Sequence, residues 1–458
     1  MFSTLQLVKS SQTPLYLQLA NGLAWFIENG QLCPGTKLPS IRSLARELRI
    51  NRDTVVSAYK SLEQRGLTYG QTGSGTYVSH LPKPVTFDSA SLESFSLDNK
   101  DLVNFATATL PPDHCPIEVF ESISSHLLLE EGWNAFRDSN RTKQLLLLEE
   151  VSRYFKQCGL ACTPKQVCMA KGLSELLESL SRLNNKPSIC IESPCNDISI
   201  FRQYGFKVYE VPLLEDGMDL EVLEGYLKDK VIQYIFVTPY LQNPTGVCYS
   251  LEKKYRLGTL ARQYGSYIIE EDTYSDLLQA NDSYVPIYSH ATHQQVIYLK
   301  NFSQLYLPKL SYSFVILPPN LVSIKPRCPS HDFVDSLFYH YLHHNMWQQS
   351  KGFLVDYYRT KYQKLLSLVD IYLTPYMSYR CSLGGLYIWL RLDASYITVK
   401  SLCDALLAQH IIVSPGALFY TDQSDAPYIR LSTTRVNMAQ MERGIQAMAS
   451  ILHNKKLP

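Results

Sequence analysis

The sequence predicts an α/β protein that begins with a small winged helix-turn-helix unit. Three observations lead to this prediction. Short helical stretches separated by Gly and Pro fill residues 14 to 66, apolar β-type runs alternate with helical runs from residue 101 onward, and a Pro/Ser-rich connector separates the two regions. The alternation is typical of a largely parallel sheet, and the length of 458 residues exceeds what one hydrophobic core usually holds.

The N-terminal unit is predicted to span residues 1 to about 80. Residues 14–27 carry apolar side chains at helical spacing, and Ser40 is a suitable N-cap for a second helix that ends near residue 48. Residues 52–65 predict a third helix, and two short helices joined by a tight turn indicate a helix-turn-helix. Two short strands at residues 67–71 and 76–79 then predict a wing.

Charge is concentrated in this unit and not in the chain as a whole. The complete sequence has a formal net charge of +1, which indicates no particular class of partner. Residues 1–80, however, hold eight Lys or Arg against four acidic residues. Four arginines crowd the predicted turn, where the phosphate backbone of DNA would lie: Arg42, Arg46, Arg49 and Arg52.

Composition and cysteine usage predict a cytoplasmic globular protein. Hydrophobic residues make up 45% and charged residues 19% of the chain, as in folded domains. The sequence shows neither an apolar run near the ~20 residues that span a bilayer nor a secretory signal. Its 11 cysteines lack zinc spacing, so we expect reduced thiols and no metal site, with Cys158 and Cys162 as a disfavoured redox pair.

The first unit resembles the winged-helix domain of GntR transcription regulators. The resemblance covers the whole unit and rests on Pro34-Gly35, Leu38-Pro39-Ser40-x-Arg42-x-Leu44-Ala45, Asn51-Arg52-x-Thr54-Val55-x-x-Ala58-Tyr59-x-x-Leu62 and Gly73-Ser74-Gly75-Thr76. It implies double-stranded DNA with two half-sites as partner and a homodimer. The residues that we expect at DNA are Ser40, Arg42, Arg52, Thr54, Lys60, Gly73, Ser74, Gly75 and Thr76. The alternative is a helix-turn-helix used only for packing.

Residues 81–100 predict a linker, and residues 101–458 predict the larger domain. Its candidate strands are Val167–Met169, Ile189–Glu192, Lys207–Val211, Ile232–Val237, Tyr267–Ile269, Val296–Leu299 and Phe314–Leu317. We expect a large part over about 101–350 and a small C-terminal α+β part over about 351–458. The order and lengths of these elements resemble the fold-type I aminotransferase class, as fused to a winged helix in the MocR subgroup of GntR regulators.

One stretch of the larger domain resembles the cofactor-lysine segment of fold-type I pyridoxal phosphate (PLP) enzymes. There the frame is roughly Tyr-x-Gly-Thr-Phe-Ser-Lys-x-x-x-Pro-x-x-Arg-x-Gly-Tyr. The stretch that begins at Tyr298 keeps Phe302, Ser303 and Pro308. The position of the Schiff-base lysine holds Gln304, and that of the phosphate-binding arginine holds Ser311. An amide nitrogen is neither basic nor nucleophilic, so Gln304 predicts the loss of imine chemistry.

Other parts of the cofactor site persist in the sequence. The resemblance implies that Asn243 and Tyr274 meet the phenolic oxygen of the ring, that Asp272 meets its nitrogen, and that Arg430 binds a substrate carboxylate. Ser174 lies in a phosphate turn that matches only in part. The vestigial pocket would therefore hold Ser174, Asn243, Asp272, Tyr274, Ser303 and Gln304. Structural roles for Asn243, Asp272 and Arg430 are the alternative.

The sequence thus favours a DNA-binding transcriptional regulator whose aminotransferase-like domain is a pseudoenzyme that dimerises and senses a small carboxylate through Arg430. No covalent cofactor and no membrane partner are expected. The competing hypothesis is a working aminotransferase with a DNA-binding appendage, in which Lys300 or Lys309 replaces the missing lysine. A third hypothesis is a regulator that binds PLP or pyridoxamine phosphate without a covalent bond, which Ser311 disfavours.

Overall fold

The computed structural model describes residues 14–28, 32, 35–48, 50–64, 67–71, 75–78, 102–107, 117–136, 141–184, 186–196, 198–277, 284–290, 295–306, 312–326, 332–380, 382, 384–422 and 426–454. The chain divides into two compact units, Met1–Phe87 and Asp88–Pro458. The predicted linker at residues 81–100 lies outside the described residues. The expected boundary near residue 350 within the larger unit stays a prediction.

In the residues that the structure describes, the first unit has three helices and a two-stranded hairpin. Its elements are α1 (Leu15–Glu28), α2 (Ile41–Leu48), α3 (Arg52–Gln64), β1 (Thr68–Gln71) and β2 (Gly75–Val78). The two strands pair in antiparallel register, with Thr68 opposite Val78. The helices share one apolar core that includes Leu23, Leu44 and Val55. The predicted winged helix-turn-helix is confirmed.

The second unit alternates strands and helices along most of its length. Its strands are β3 (Val103–Asn104), β4 (Val167–Ala170), β5 (Ser188–Ser193), β6 (Lys207–Leu214), β7 (Gly217–Met218), β8 (Tyr234–Val237), β9 (Tyr267–Asp272), β10 (Val296–Lys300), β11 (Ser313–Ile316), β12 (Met377–Tyr379), β13 (Tyr387–Leu392), β14 (Ile411–Ile412), β15 (Ser414–Pro415) and β16 (Tyr428–Ser432). Its helices are α4 (Ile117–Glu131), α5 (Arg141–Gln157), α6 (Leu173–Ser181), α7 (Ile198–Gln203), α8 (Leu220–Asp229), α9 (Leu251–Tyr264), α10 (Ile287–His290), α11 (Phe302–Tyr306), α12 (Asp332–His343), α13 (Met346–Tyr372), α14 (Val399–Leu407) and α15 (Met438–His453).

An eight-stranded sheet forms the centre of this unit. Its strand order is β4-β11-β10-β9-β8-β5-β6-β7. The five strands from β10 to β6 run parallel, whereas β11 runs antiparallel to both of its neighbours and β7 returns antiparallel to β6. The mostly parallel sheet is therefore confirmed. The tight link between β6 and β7 explains the antiparallel edge, because a parallel pair needs a long crossover.

A second, antiparallel sheet forms the C-terminal part. Its order is β12-β13-β16-β15, and α13, α14 and α15 contribute to the core beneath it. A parallel pair between β14 and β3 links residues 411–412 with residues 103–104. The sequence did not predict this pair, since neither segment is longer than two residues and such short strands have no periodicity to detect.

Two candidate residues lie at the carboxyl ends of neighbouring strands of the main sheet. In open α/β sheets, ligands bind beside the carboxyl ends of the parallel strands. Asp272 ends β9 and Lys300 ends β10, and the two residues are directly opposite in the parallel register. The chain then enters α11, which carries Gln304.

Candidate functional sites

The basic residues of the first unit lie at the exposed surface of α2 and α3. The side chains of Arg42, Arg46, Arg52 and Lys60 are exposed, and Thr54 is half-buried in the first turn of α3. In helix-turn-helix complexes the N-terminal residues of the second helix reach the base edges. The structure therefore brings Arg52 and Thr54 to the position that such contacts require.

Ser40 has a structural role at the start of α2. Its Oγ accepts a hydrogen bond from the amide of Ser43 at 3.2 Å, which caps the helix. The hydroxyl of Tyr59 donates to the carbonyl of Pro39 at 2.7 Å and so ties α3 to the same segment. These bonds fix the angle between the two helices. A DNA contact by Ser40 remains a prediction.

The wing presents two tyrosines and a lysine that the sequence reading did not single out. The rings of Tyr69 and Tyr77 stack with 5.8 Å between centroids, and Nζ of Lys37 lies 5.8 Å from the centre of Tyr77. Strand alternation could have indicated the tyrosines, but the approach of Lys37 depends on tertiary structure. Of the predicted wing residues, Gly75 is exposed and Thr76 is half-buried. Gly73 and Ser74 lie outside the described residues.

In the second unit, Gln304 is exposed on α11. The neighbouring Ser303 is buried, and its amide donates to the carbonyl of Tyr312 at 3.0 Å. Phe302 packs against Phe314 with 4.9 Å between ring centroids, which anchors the helix in the core. The family frame is therefore retained as a packing element around a residue that cannot form an imine. Pro308, Lys309 and Ser311 lie outside the described residues.

Asp272 is buried and bound by the protein itself. Nζ of Lys300 lies 3.1 Å from its Oδ2, and the amide of Ser275 donates to its Oδ1 at 2.9 Å. The hydroxyls of Ser275 and Tyr298 also donate to Oδ2. Lys300 stands where the family frame has glycine, so its side chain fills space that the glycine leaves open.

Lys300 contacts a second carboxylate as well. Its Nζ lies 3.1 Å from Oδ2 of Asp276, and it donates to Oγ of Ser275 at 2.8 Å. Burial alone disfavours the ammonium, but the two aspartates outweigh burial and raise the pKa of Lys300. Burial likewise opposes the charge of Asp276, yet Lys300 and Lys351 hold the pKa of that carboxyl below its usual value. Lys300 is thus a charged ammonium and a poor nucleophile.

The turn that would hold a cofactor phosphate is occupied by an acid. Oε2 of Glu175 accepts a hydrogen bond from the amide of Lys171 at 2.6 Å. The hydroxyl of Ser174 donates to the carbonyl of Lys171 at 3.1 Å. A carboxylate in the first turn of α6 is favoured by the helix dipole and would repel a phosphate bound there.

Arg430 lies at the other end of the candidate pocket, on β16. Its guanidinium donates to Oδ1 of Asn243 at 2.6 Å, to the carbonyl of Ala106 at 2.7 Å and to Oγ of Ser414 at 3.1 Å. The centres of the Tyr387 and Phe419 rings lie 5.0 Å and 4.9 Å from its Cζ. The predicted residues Asn243 and Arg430 are therefore brought together.

Tyr274 is buried close to this cluster. Its hydroxyl bonds to that of Tyr387, whose ring packs on Arg430. Burial raises the pKa of the Tyr274 phenol, so the phenol stays neutral over the physiological range. The structure therefore joins Tyr274 to the arginine end of the pocket, through Tyr387.

The loop that carries Asn243 is held by a buried acid. Glu192 accepts hydrogen bonds from the hydroxyl of Tyr249 at 2.6 Å, from the amide of Thr238 at 3.0 Å and from Nε2 of Gln242 at 3.2 Å. Burial raises the pKa of Glu192 to about 7. The sequence reading missed this residue, because a glutamate near a strand end does not reveal which loop it will bind.

The residues present do not fit pyridoxal phosphate. Asp272 is saturated by donors of the chain, the turn at Ser174 holds Glu175, and the lysine position is Gln304. A cofactor would have to displace an internal ion pair at one end and a carboxylate at the other. The arginine end differs in its chemistry, since guanidinium groups bind carboxylates well.

Two family models match the chain. Residues 15–78 match "Bacterial regulatory proteins, gntR family", and residues 100–305 match "Aminotransferase class I and II". The chain is therefore a GntR-type helix-turn-helix domain followed by an aminotransferase class I and II domain. This combination, shared with relatives named as transcriptional regulators, is consistent with the MocR subgroup.

Similar proteins include both named transcriptional regulators and aminotransferases. The chain is 21% identical to "Uncharacterized HTH-type transcriptional regulator YdfD" of Bacillus subtilis over 97% of each sequence. It is 23% identical to the similarly named YisV of the same organism over 96% of each. The crystal structure of the multiple substrate aminotransferase of Thermococcus profundus matches with a TM-score of 0.73 and 20% identity, over 82% of this chain and 97% of that one. The latter similarity shows the fold alone.

Within the residues that the structure describes, no helix is both long and apolar enough to span a bilayer. The same residues contain no group of three or more His, Cys, Asp or Glu side chains arranged to hold a metal ion.

Proposed function

We propose that this protein is a sequence-specific transcriptional regulator of the cytoplasm, in which a catalytically inactive aminotransferase-like domain dimerises and binds a small carboxylate. The GntR-type domain carries the DNA-binding role, with Arg52 and Thr54 at base edges and Arg42 at a phosphate. A homodimer would present two winged helices to two half-sites. Arg430 would receive the effector carboxylate.

The proposal of inactivity rests on one observation above others. The chain has no lysine where the family places its Schiff base, and the neighbouring Lys300 is engaged by Asp272 and Asp276. A lysine that forms an imine must be neutral when it attacks, whereas these carboxylates favour the charged form. Lys300 is therefore poorly suited to replace the missing residue.

The second candidate is an aminotransferase that also binds DNA. The aminotransferase class I and II match and the shared fold favour it. It requires a reactive lysine in the pocket, and Lys309 is the remaining candidate from the sequence. Non-covalent binding of PLP or pyridoxamine phosphate is a further variant, which the acid at the phosphate turn disfavours.

DNA recognition is tested on duplexes that the full-length protein selects from a random library. We expect the selected sequences to contain two half-sites, and Arg52→Ala to weaken binding to them by about 1–3 kcal/mol, because a base contact of an arginine is lost. Fluorescence anisotropy at fixed salt measures the change.

The control for charge is Arg202→Ala, which removes an exposed arginine from the second unit. This variant should bind the selected duplex like the wild type. Equal affinity of Arg52→Ala and the wild type would contradict the assignment of α3 as the recognition helix. Failure to select any sequence would contradict the proposed function itself.

A further inference from the structure

The strand end that faces a cofactor ring in fold-type I enzymes is closed here by a salt-bridge triad, which we define as Lys300, Asp272 and Asp276. All three side chains are at most 5% exposed. Nζ of Lys300 lies 3.1 Å from one carboxylate oxygen of each aspartate. Buried charges are costly unless they are paired and hydrogen-bonded, and this triad meets both conditions through Ser275 and Tyr298.

The position of the lysine in the sheet explains how the triad forms. Lys300 occupies the glycine position of the family frame and is the last residue of β10, directly opposite Asp272 on β9. Side chains at the same register of neighbouring parallel strands point to the same face of the sheet. The ammonium therefore reaches the carboxylate that the resemblance assigns to the protonated ring nitrogen of the cofactor.

We propose that Lys300 is a built-in substitute for that ring nitrogen: its ammonium permanently occupies Asp272, so that the second unit is stable in its folded form without a cofactor. This inference rests on the proposed function, because a domain that needs no cofactor must balance the buried acid in another way. The disagreement with PLP binding then has a structural cause. In place of the protonated ring of a dissociable cofactor, Asp272 pairs with the ammonium of Lys300, which belongs to the chain itself.

The electrostatic surroundings support a charged triad. Titratable groups that interact with it come from several elements: Tyr154 and Cys158 at α5, Lys254 on α9, Tyr284 before α10, Tyr298 on β10, Tyr306 on α11 and Lys351 on α13. Lys351 Nζ lies 3.7 Å from Oδ1 of Asp276 and is half-buried. The hydroxyl of Tyr154 donates to Oδ2 of Asp276 at 3.1 Å.

The test compares the thermal unfolding of the full-length wild type with that of Lys300→Met between pH 5 and pH 8. Methionine is an unbranched side chain one heavy atom shorter than lysine, and it carries no charge. The melting temperature should fall by roughly 5 °C or more at pH 8, because two carboxylates are left buried without their cation. The deficit should shrink towards pH 5, since protonated carboxyls no longer need the ammonium. A deficit that does not change with pH would overturn the proposal, because a packing role alone gives that result.

A second variant keeps the test decisive if Lys300→Met folds poorly. In Lys300→Met/Asp276→Asn, one uncompensated charge is removed, so this protein should recover stability relative to Lys300→Met at pH 8. No recovery would overturn the proposal. Lys351→Met is the matched control: it removes a nearby, partly exposed ammonium and should shift the melting temperature much less than Lys300→Met.

Failure of this inference and failure of the proposed function give different results. A pH-independent deficit of Lys300→Met leaves DNA selection and the absence of imine chemistry unaffected. Conversely, covalent capture of PLP on Lys309 would end the pseudoenzyme proposal and leave the pH-dependent role of Lys300 intact.

Discussion

Lys300 and Arg430 are both buried cations of the aminotransferase-like unit, but their partners differ in kind. Lys300 contacts two carboxylates, those of Asp272 and Asp276. Arg430 donates to an amide oxygen, a hydroxyl and a backbone carbonyl. The two partners of Lys300 are carboxylates, whereas these three partners of Arg430 are neutral acceptors.

The two ends of the site that corresponds to the cofactor pocket therefore differ in their need for a ligand. Where the ring nitrogen would lie, the protein supplies its own cation, and the local structure needs no ligand. Where the substrate carboxylate would lie, a planar guanidinium still stands among aromatic rings that restrict its geometry. Binding of a small acid can therefore outlast catalysis, because it depends only on the second region.

The largest effect is expected when Arg430, the proposed carboxylate-binding residue, is removed. We expect Arg430→Ala to lower the free energy of unfolding by about 1–3 kcal/mol, because its buried hydrogen-bond acceptors lose a charged donor. Small amino acids and dicarboxylic acids should raise the melting temperature of the wild type and not that of Arg430→Ala, since a ligand stabilises the folded state that binds it. Differential scanning fluorimetry measures both effects.

The control for this variant is Arg391→Ala, which removes an exposed arginine from the neighbouring strand β13. It should keep both the stability and the ligand response of the wild type. If no carboxylate shifts the wild type while Arg430→Ala is strongly destabilised, Arg430 is a structural residue and the effector proposal is wrong.

A smaller effect on stability is expected from Glu192, which holds the loop that presents Asn243 to Arg430. Because burial raises the pKa of Glu192 to about 7, the folded state takes up a proton more readily than the unfolded state. Stability should therefore fall as pH rises from about 4.5 to 7. Glu192→Gln mimics the protonated acid and should remove part of this fall, on the order of 1 kcal/mol.

Urea unfolding at pH 5 to 8 checks this prediction, with Glu252→Gln as a control at an exposed position of α9. The control should follow the wild type at every pH. Parallel curves for Glu192→Gln and the wild type would show that Glu192 does not titrate in this range.

Much of the fold could be predicted from the sequence, because its signals are local. Each predicted strand of the main sheet exists with small shifts at its ends. The loss of the cofactor lysine rests on one residue of the sequence, Gln304, and stays a prediction. The predicted roles of Asp272 and Asn243 came from resemblance alone.

The contacts of the site could not be predicted in the same way. The salt bridge of Lys300 depends on the register between β9 and β10, which aligns residues 28 positions apart. From the sequence alone, Lys300 was a candidate for a replacement Schiff base and not a partner of Asp272. The hydrogen bond from Arg430 to Asn243 similarly joins β16 to the loop after β8, so no local pattern indicates it.

The central claim is that this aminotransferase-like unit forms no imine with pyridoxal phosphate. The direct measurement is borohydride reduction of the full-length protein with added PLP, followed by peptide mass mapping of every lysine. We expect no lysine of the pocket, Lys300 and Lys309 included, to carry a phosphopyridoxyl group, because Gln304 replaces the reactive lysine and Lys300 is held as an ammonium. A stoichiometric adduct on either lysine would contradict the claim and favour a working enzyme.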